Sequence, residues 1–106
     1  MAGKYTKSIS ASEVEGKLQQ GIPLHILDVR EDEEWESGHI PGAMHIPLGS
    51  IGQRHAELDK GIETIVVCRS GNRSGLACEL LEELGCDVVN MTGGMLQWTG
   101  NVSYGK

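Results

Sequence analysis

At 106 residues and a formal net charge of −6, the chain is long enough for one buried core and too short for two, so a single domain over residues 1–106 is expected. The acidic balance, with no basic stretch longer than two residues, argues against a nucleic-acid surface and against binding to anionic membrane. No apolar run is long enough for a membrane span, and the N-terminal MAGKYTKSIS lacks the apolar centre of a signal peptide, so a cytoplasmic location is expected.

In chain order, Tyr5–Ile9 reads as a weak strand. Ser10 and Glu13 then have the spacing of a capping box, which predicts a helix to about Gln20 with Gly21 as its stop. Leu24–Val29 reads as a strand. The acidic stretch Arg30–Ser37 predicts a short helical turn, and Gly38-His39-Ile40-Pro41-Gly42 a turn cluster. Ala43–Ile46 is a short strand ended by Pro47, and Gly49–Leu58 a modest amphipathic helix. Thr64–Cys68 is the most continuously apolar strand, a pattern that belongs in the middle of a covered sheet. Ser74–Leu84 predicts a helix with Leu76, Ala77, Leu80, Leu81 and Leu84 on one stripe, and Gly85 as its stop. Asp87–Asn90 is a further strand and Met95–Thr99 a short helix. Strands alternating with helices imply an α/β fold with a largely parallel sheet of about five strands.

Cysteine usage narrows the chemistry. Cys68, Cys78 and Cys86 are odd in number and lack a CxxC spacing, which argues against a disulfide framework and against structural zinc. No cofactor and no metal is expected. Cys68 stands at the carboxyl end of a central strand, where open α/β sheets bind ligands. The loop 69–73 runs from it into a helix. Such a loop aims several backbone N–H groups at one spot, backed by the positive end of the helix dipole. A thiol there is pulled below its free value of about 8.5. Arg69 and Arg73 act in the same direction, Gly71 allows a tight turn with positive φ, and Asn72 tolerates left-handed geometry. The plain alternative is a buried structural cysteine, against which two arginines within five residues make poor neighbours for an apolar site.

Three stretches resemble one known family. CRSGNRSG, residues 68–75 after an apolar strand, is similar to the active-site loop of rhodanese-type sulfurtransferases. Asp28-Val29-Arg30, Trp35 and Gly38-His39-Ile40-Pro41-Gly42-Ala43 resemble that family's N-terminal signature. Gly93-Gly94 followed by Trp98 resembles its C-terminal one. The resemblance covers about residues 10–100 and implies a three-layer rhodanese-like fold. It implies Cys68 as the nucleophile, carrying sulfur as a persulfide. The loop residues Arg69, Ser70, Gly71, Asn72, Arg73 and Ser74 would bind substrate; Asp28 and Arg30, at the end of the strand expected beside Thr64–Cys68, read as a structural ion pair or a supporting brace for the loop. Donors would be small sulfur anions such as thiosulfate, and acceptors cyanide or a thiol, including a protein thiol. In the family, an arginine just after the cysteine suits thiosulfate.

The fold is shared with cysteine phosphatases, so loop length has to decide. Those enzymes need five residues between Cys and Arg to encircle a phosphate. Here four separate Cys68 from Arg73, a tighter ring that suits one sulfur atom. Non-catalytic modules of this kind commonly lack the cysteine, and a sulfur relay with a partner protein stays open. Arg73 either binds the donor or folds back onto a carboxylate to brace the loop. His39 reads as a turn residue bonded to backbone, Cys78 as lying off the apolar stripe of its helix, Glu31–Glu36 as a solvated face, and Trp35 and Trp98 as partial core.

Overall fold

The computed structural model describes residue 5 and residues 7–106. Five strands run Ser8–Ser10 (β1), His25–Asp28 (β2), Met44–His45 (β3), Thr64–Val67 (β4) and Val88–Thr92 (β5). Four α-helices run Ala11–Gln19 (α1), Asp32–Glu36 (α2), Ile51–Arg54 (α3) and Asn72–Glu83 (α4), with short 3₁₀ turns at Leu48–Ser50, His55–Glu57 and Gly94–Gln97.

The strand order is β1-β5-β4-β2-β3, and each neighbouring pair is parallel. All carboxyl ends therefore share one edge of the sheet. β4 is central, buried at each of its positions, as its unbroken apolar run predicts. Its residues alternate between two cores. Val66 and Cys68 join Ala77, Cys78 and Leu81 of α4 and Ile51 of α3. Ile65 and Val67 join Ala11 and Val14 of α1. Helices on both faces of one parallel sheet make the three-layer α/β arrangement expected from the sequence.

Local signals explain most element ends. The Ser10 hydroxyl accepts from the Glu13 N–H at 3.1 Å, and Glu13 returns to the Ser10 N–H at 3.3 Å, so the capping box opens α1 as predicted. The same Ser10 closes β1, which begins later than the expected Tyr5–Ile9; residue 6 of that stretch and residues 1–4 lie outside the described residues.

Four expectations are corrected. The stretch 49–58 is not one helix but a 3₁₀ turn, α3 and another 3₁₀ turn. Gly49 and Gly52 weaken a continuous helix there, since each interior glycine costs about 1 kcal/mol against alanine. β4 ends at Val67, leaving Cys68 as the first residue of the loop. α4 starts at Asn72 rather than Ser74. Its buried face is shifted from the expected stripe: Ala77 and Leu81 are buried and Leu80 packs against the core, but Ser74, Gly75 and Cys78 are buried too and Leu76 is 46% exposed. Small side chains bring the helix close to the sheet, so Cys78 lies on the packed face.

The carboxyl end of β2 carries a buried ion pair. Asp28 and Arg30 are 1% and 6% exposed. The Arg30 guanidinium donates to both carboxylate oxygens at 2.8–3.0 Å, and Nη2 also donates to the Gly38 carbonyl at 2.8 Å. The pair thus ties the end of β2 to the turn after α2. Arg30→Ala would strand a buried carboxylate. The expected loss is about 3–5 kcal/mol of stability, read from urea unfolding midpoints; a loss under 1 kcal/mol would mean that water reaches Asp28.

Candidate active site

The β4–α4 loop turns on Gly71, whose φ of 103° lies in the left-handed region. The sequence also allowed Asn72 such geometry, but Asn72 is already the first residue of α4, and among the described residues only glycines have positive φ. The turn directs the Gly71 N–H onto Cys68 Sγ at 3.1 Å. The Ser74 hydroxyl lies 3.3 Å from the same sulfur, one helical turn into α4.

Burial alone would raise the Cys68 thiol. The Ser74 hydroxyl, then the N–H groups of Ser74, Gly71 and Ser70, outweigh it and hold the thiol below its ordinary value. Cys78 has no such donors. Burial first, then the charges of Glu82 and Cys68, push it up to about 12. Burial also raises Cys86. All three cysteines are free and buried, so the loop singles out Cys68.

The two arginines part company. Arg69 and Ser70 are exposed on the crest of the loop. Arg73 folds back and donates to Glu34 of α2 through both terminal nitrogens, at 2.6 and 2.8 Å. This contact has the form of the brace onto a carboxylate, one of the two uses read for Arg73. Glu34 also accepts from the Glu31 N–H at 3.0 Å, so one carboxylate caps α2 and anchors the loop. The Arg73 hydrogen bonds, opposed by burial and aided by Glu31, hold its carboxyl at about 2. The acidic run is therefore not only a solvated face.

A second brace comes from the 3₁₀ turn Gly94–Gln97 after β5. The N–H groups of Met95 and Leu96 donate to the Cys68 and Arg69 carbonyls at 2.9 and 3.0 Å. A Cβ on Gly94 would come within 2.5 Å of both carbonyl oxygens, so only glycine fits there. The Gly93-Gly94 signature is thus a seat for the loop.

The remaining predicted residues are placed as follows. Asp28 and Arg30 engage each other and Gly38. Asn72 is exposed on the first turn of α4. His39 Nδ1 donates to the Trp35 carbonyl at 2.7 Å, the backbone bond expected of a turn residue. Trp35 is less a core residue than the middle of a stack, with His39 at 3.5 Å and His45 at 4.7 Å between ring centroids. Trp98 packs against the α1 face. Among the described residues no group of three or more His, Cys, Asp or Glu side chains is arranged for a metal ion, and no helix is long and apolar enough to cross a membrane.

Two residues of the site escaped the sequence reading. Glu34 was hidden in a charge run, although its spacing from Glu31 is that of a capping pair. Asn90 is 1% exposed and bonds both Ser74 and Gly71. A polar residue between Val89 and Met91 in a buried strand was the available signal.

The family model for the rhodanese-like domain matches residues 10–101. The chain belongs to the rhodanese-like domain family. It is 44% identical over 94 residues to YtwF of Bacillus subtilis, a provisionally named sulfurtransferase, covering 89% of this chain and 91% of that one. It is 43% identical over 93 residues to YrkF of Bacillus subtilis, a provisionally named sulfur carrier protein, covering 87% of this chain and 50% of that longer one. A rhodanese-like domain protein of Staphylococcus aureus has the same fold, with a TM-score of 0.89 at 37% identity over 95% of this chain and all of that one. These relatives support sulfur transfer as the general chemistry of this rhodanese-like chain.

The Glu34–Arg73 brace has a pH signature. Glu34 is held below its ordinary value of 4.5, so its contribution to stability is full above that pH and fades as pH falls toward about 2. Glu34→Gln should lower the urea midpoint at neutral pH and flatten the loss of stability across that acid window. Parallel wild-type and variant curves from pH 5 to about pH 2 would show that the pair adds nothing.

Proposed function

We propose that the chain is a sulfurtransferase of the thiosulfate type, working through a persulfide on Cys68. One observation carries this reading: a lowered, buried thiol whose sulfur is met by the Gly71 N–H and the Ser74 hydroxyl, in a loop too short to encircle phosphate. In the first step the Cys68 thiolate attacks the outer sulfur of thiosulfate. The sulfur–sulfur bond of the donor breaks, and sulfite leaves with the electron pair. The product is a Cys68 persulfide anion, a covalent intermediate. The N–H groups of Ser70, Gly71 and Ser74 and the positive end of α4 then hold the charge on the terminal sulfur. In the second step cyanide or a thiolate attacks that sulfur, and Cys68 leaves as thiolate.

Arg69 is the arginine left for the donor, because Arg73 is committed to Glu34. Its guanidinium would meet the sulfonate of thiosulfate at the mouth of the site. Cys68 itself is 0% exposed, so a donor has to open a way to the sulfur. A relative named as a sulfur carrier protein supports a protein thiol as the acceptor. Three free cysteines fit a reducing compartment, and the cytoplasm is the proposed location.

Intact mass of the reduced protein tests the persulfide. Thiosulfate should add one sulfur atom, cyanide should remove it, and Cys68→Ser should gain none. No gain from thiosulfate or from a small persulfide donor would overturn the reading. Arg69→Ala should raise the thiosulfate KM by about tenfold or more, the worth of a hydrogen bond to a charged group, while a persulfide donor lacking a sulfonate is affected far less. Equal effects on both donors would remove the sulfonate role. Initial rates with both substrates varied should give the parallel lines of a ping-pong mechanism.

A further inference from the structure

Asn90 sits in the centre of β5, in register with Ser8 of β1 and Val66 of β4. Its side chain is buried on the α4 side of the sheet, the side of Val88 and Cys68. Nδ2 donates to the Gly71 carbonyl at 3.2 Å. That bond fixes the amide, because a carbonyl oxygen can only accept. Oδ1 is therefore aimed at Ser74 Oγ, 2.5 Å away, and the Ser74 hydroxyl must donate to it.

A directed chain of hydrogen bonds follows. The Cys68 thiol donates to Ser74 Oγ, Ser74 donates to Asn90 Oδ1, and Asn90 donates to the Gly71 carbonyl. The Gly71 N–H closes the circuit on Cys68 Sγ. This arrangement suits a thiol. A thiolate has no proton to give, so the Ser74 lone pair would face a negative charge. The stable arrangement for a thiolate turns the single Ser74 proton onto the sulfur, and Asn90 Oδ1 then loses its donor in a buried place.

We propose that Asn90 is a positioning residue that competes with Cys68 for the Ser74 proton, and so sets how readily the sulfur ionises. This rests on the reading of Cys68 as the sulfur-carrying nucleophile. The Gly71 carbonyl does not depend on Asn90 alone, since it also accepts from the Gly75 N–H at 3.1 Å. Removing the Asn90 amide therefore leaves Gly71 a partner and frees the Ser74 hydroxyl for the thiolate. The other titratable or charged groups about Cys68 are Arg69 beside it in the chain, Arg73 with its partner Glu34 of α2, Cys78 of α4, and the Asp28–Arg30 pair at the end of β2. Substitution at Asn90 changes the charge of none of them.

The test is the ultraviolet thiolate absorbance of the full chain against pH, with Cys68→Ser subtracted, for wild type, Asn90→Leu, Ser74→Ala and the double variant. Asn90→Leu should raise the thiolate fraction below the midpoint by about tenfold, one pH unit in midpoint. In the Ser74→Ala background the same change should have no effect, because the proton being contested is gone. Asn90→Ala serves as a second variant should leucine overfill the strand, with the same expected direction. An unchanged midpoint in both Asn90 variants, or a shift that persists without Ser74, would overturn the proposal. Because the readout is ionisation and not sulfur uptake, its failure is separate from a failure to form the persulfide.

Discussion

The contact on which the site depends is the Gly71 N–H donated to Cys68 Sγ at 3.1 Å. A buried sulfur resists ionising, since removing a charge from water is unfavourable. Donors aimed at it have to be in place before the charge forms, and a single loop must hold them there. The rest of the structure near the site supplies that hold. Parallel strands bring the ends of β2, β4 and β5 to one edge. From β2 the chain runs into α2, which presents Glu34 to Arg73. From β5 it presents Asn90 to Ser74 and Gly71. The turn after β5 seats the Cys68 and Arg69 carbonyls.

The charges are arranged on the same logic. Arg73 lies close enough to Cys68 to feel its charge, yet its guanidinium is bound to Glu34. Its positive field is partly cancelled, and its role becomes one of geometry. The thiol is lowered chiefly by oriented hydroxyl and N–H groups. Fixed dipoles need no reorganisation when a charge forms beside them. Arg69, exposed and outside this arrangement, stays available to an anion arriving from solvent. In a chain of net charge −6, a local arginine is what offsets the general repulsion of any anion.

Much of this was legible in the sequence, for reasons that differ by residue. β4 announced itself because a strand buried on both faces must be apolar throughout. α1 did so because Ser10 and Glu13 fulfil a local pattern that needs no tertiary contact. The place of Cys68 between an apolar strand and a helix start was legible for the same local reason. What could not be read were the pairings across the chain. Glu34 and Arg73 are 39 positions apart, and no local pattern says which acidic residue of the run turns inward. Asn90 and Ser74 are 16 apart. The expected stripe of α4 holds for Ala77 and Leu81 but misses the small residues, because a leucine pattern gives no sign of a close helix–sheet approach. The helix instead approaches the sheet through Ser74, Gly75, Ala77 and Cys78, the close approach that brings its first turn to the sulfur.

Three buried cysteines in one core cluster also separate burial from reactivity. Cys78 and Cys68 are both fully enclosed, and burial acts on both in the same direction. They end on opposite sides of the ordinary thiol value because only Cys68 has hydrogen-bond donors turned toward it. Exposure is a poor guide to the lowered thiol here, as Cys86 at 7% is the most accessible of the three and its thiol is raised. The helix that places the Ser74 hydroxyl beside Cys68 puts Cys78 one turn further along, packed against the sheet and away from the N–H groups at its start. The same element thus lies beside one lowered thiol and one raised one, and the difference rests on a few N–H groups and on the Ser74 proton contested between Cys68 and Asn90.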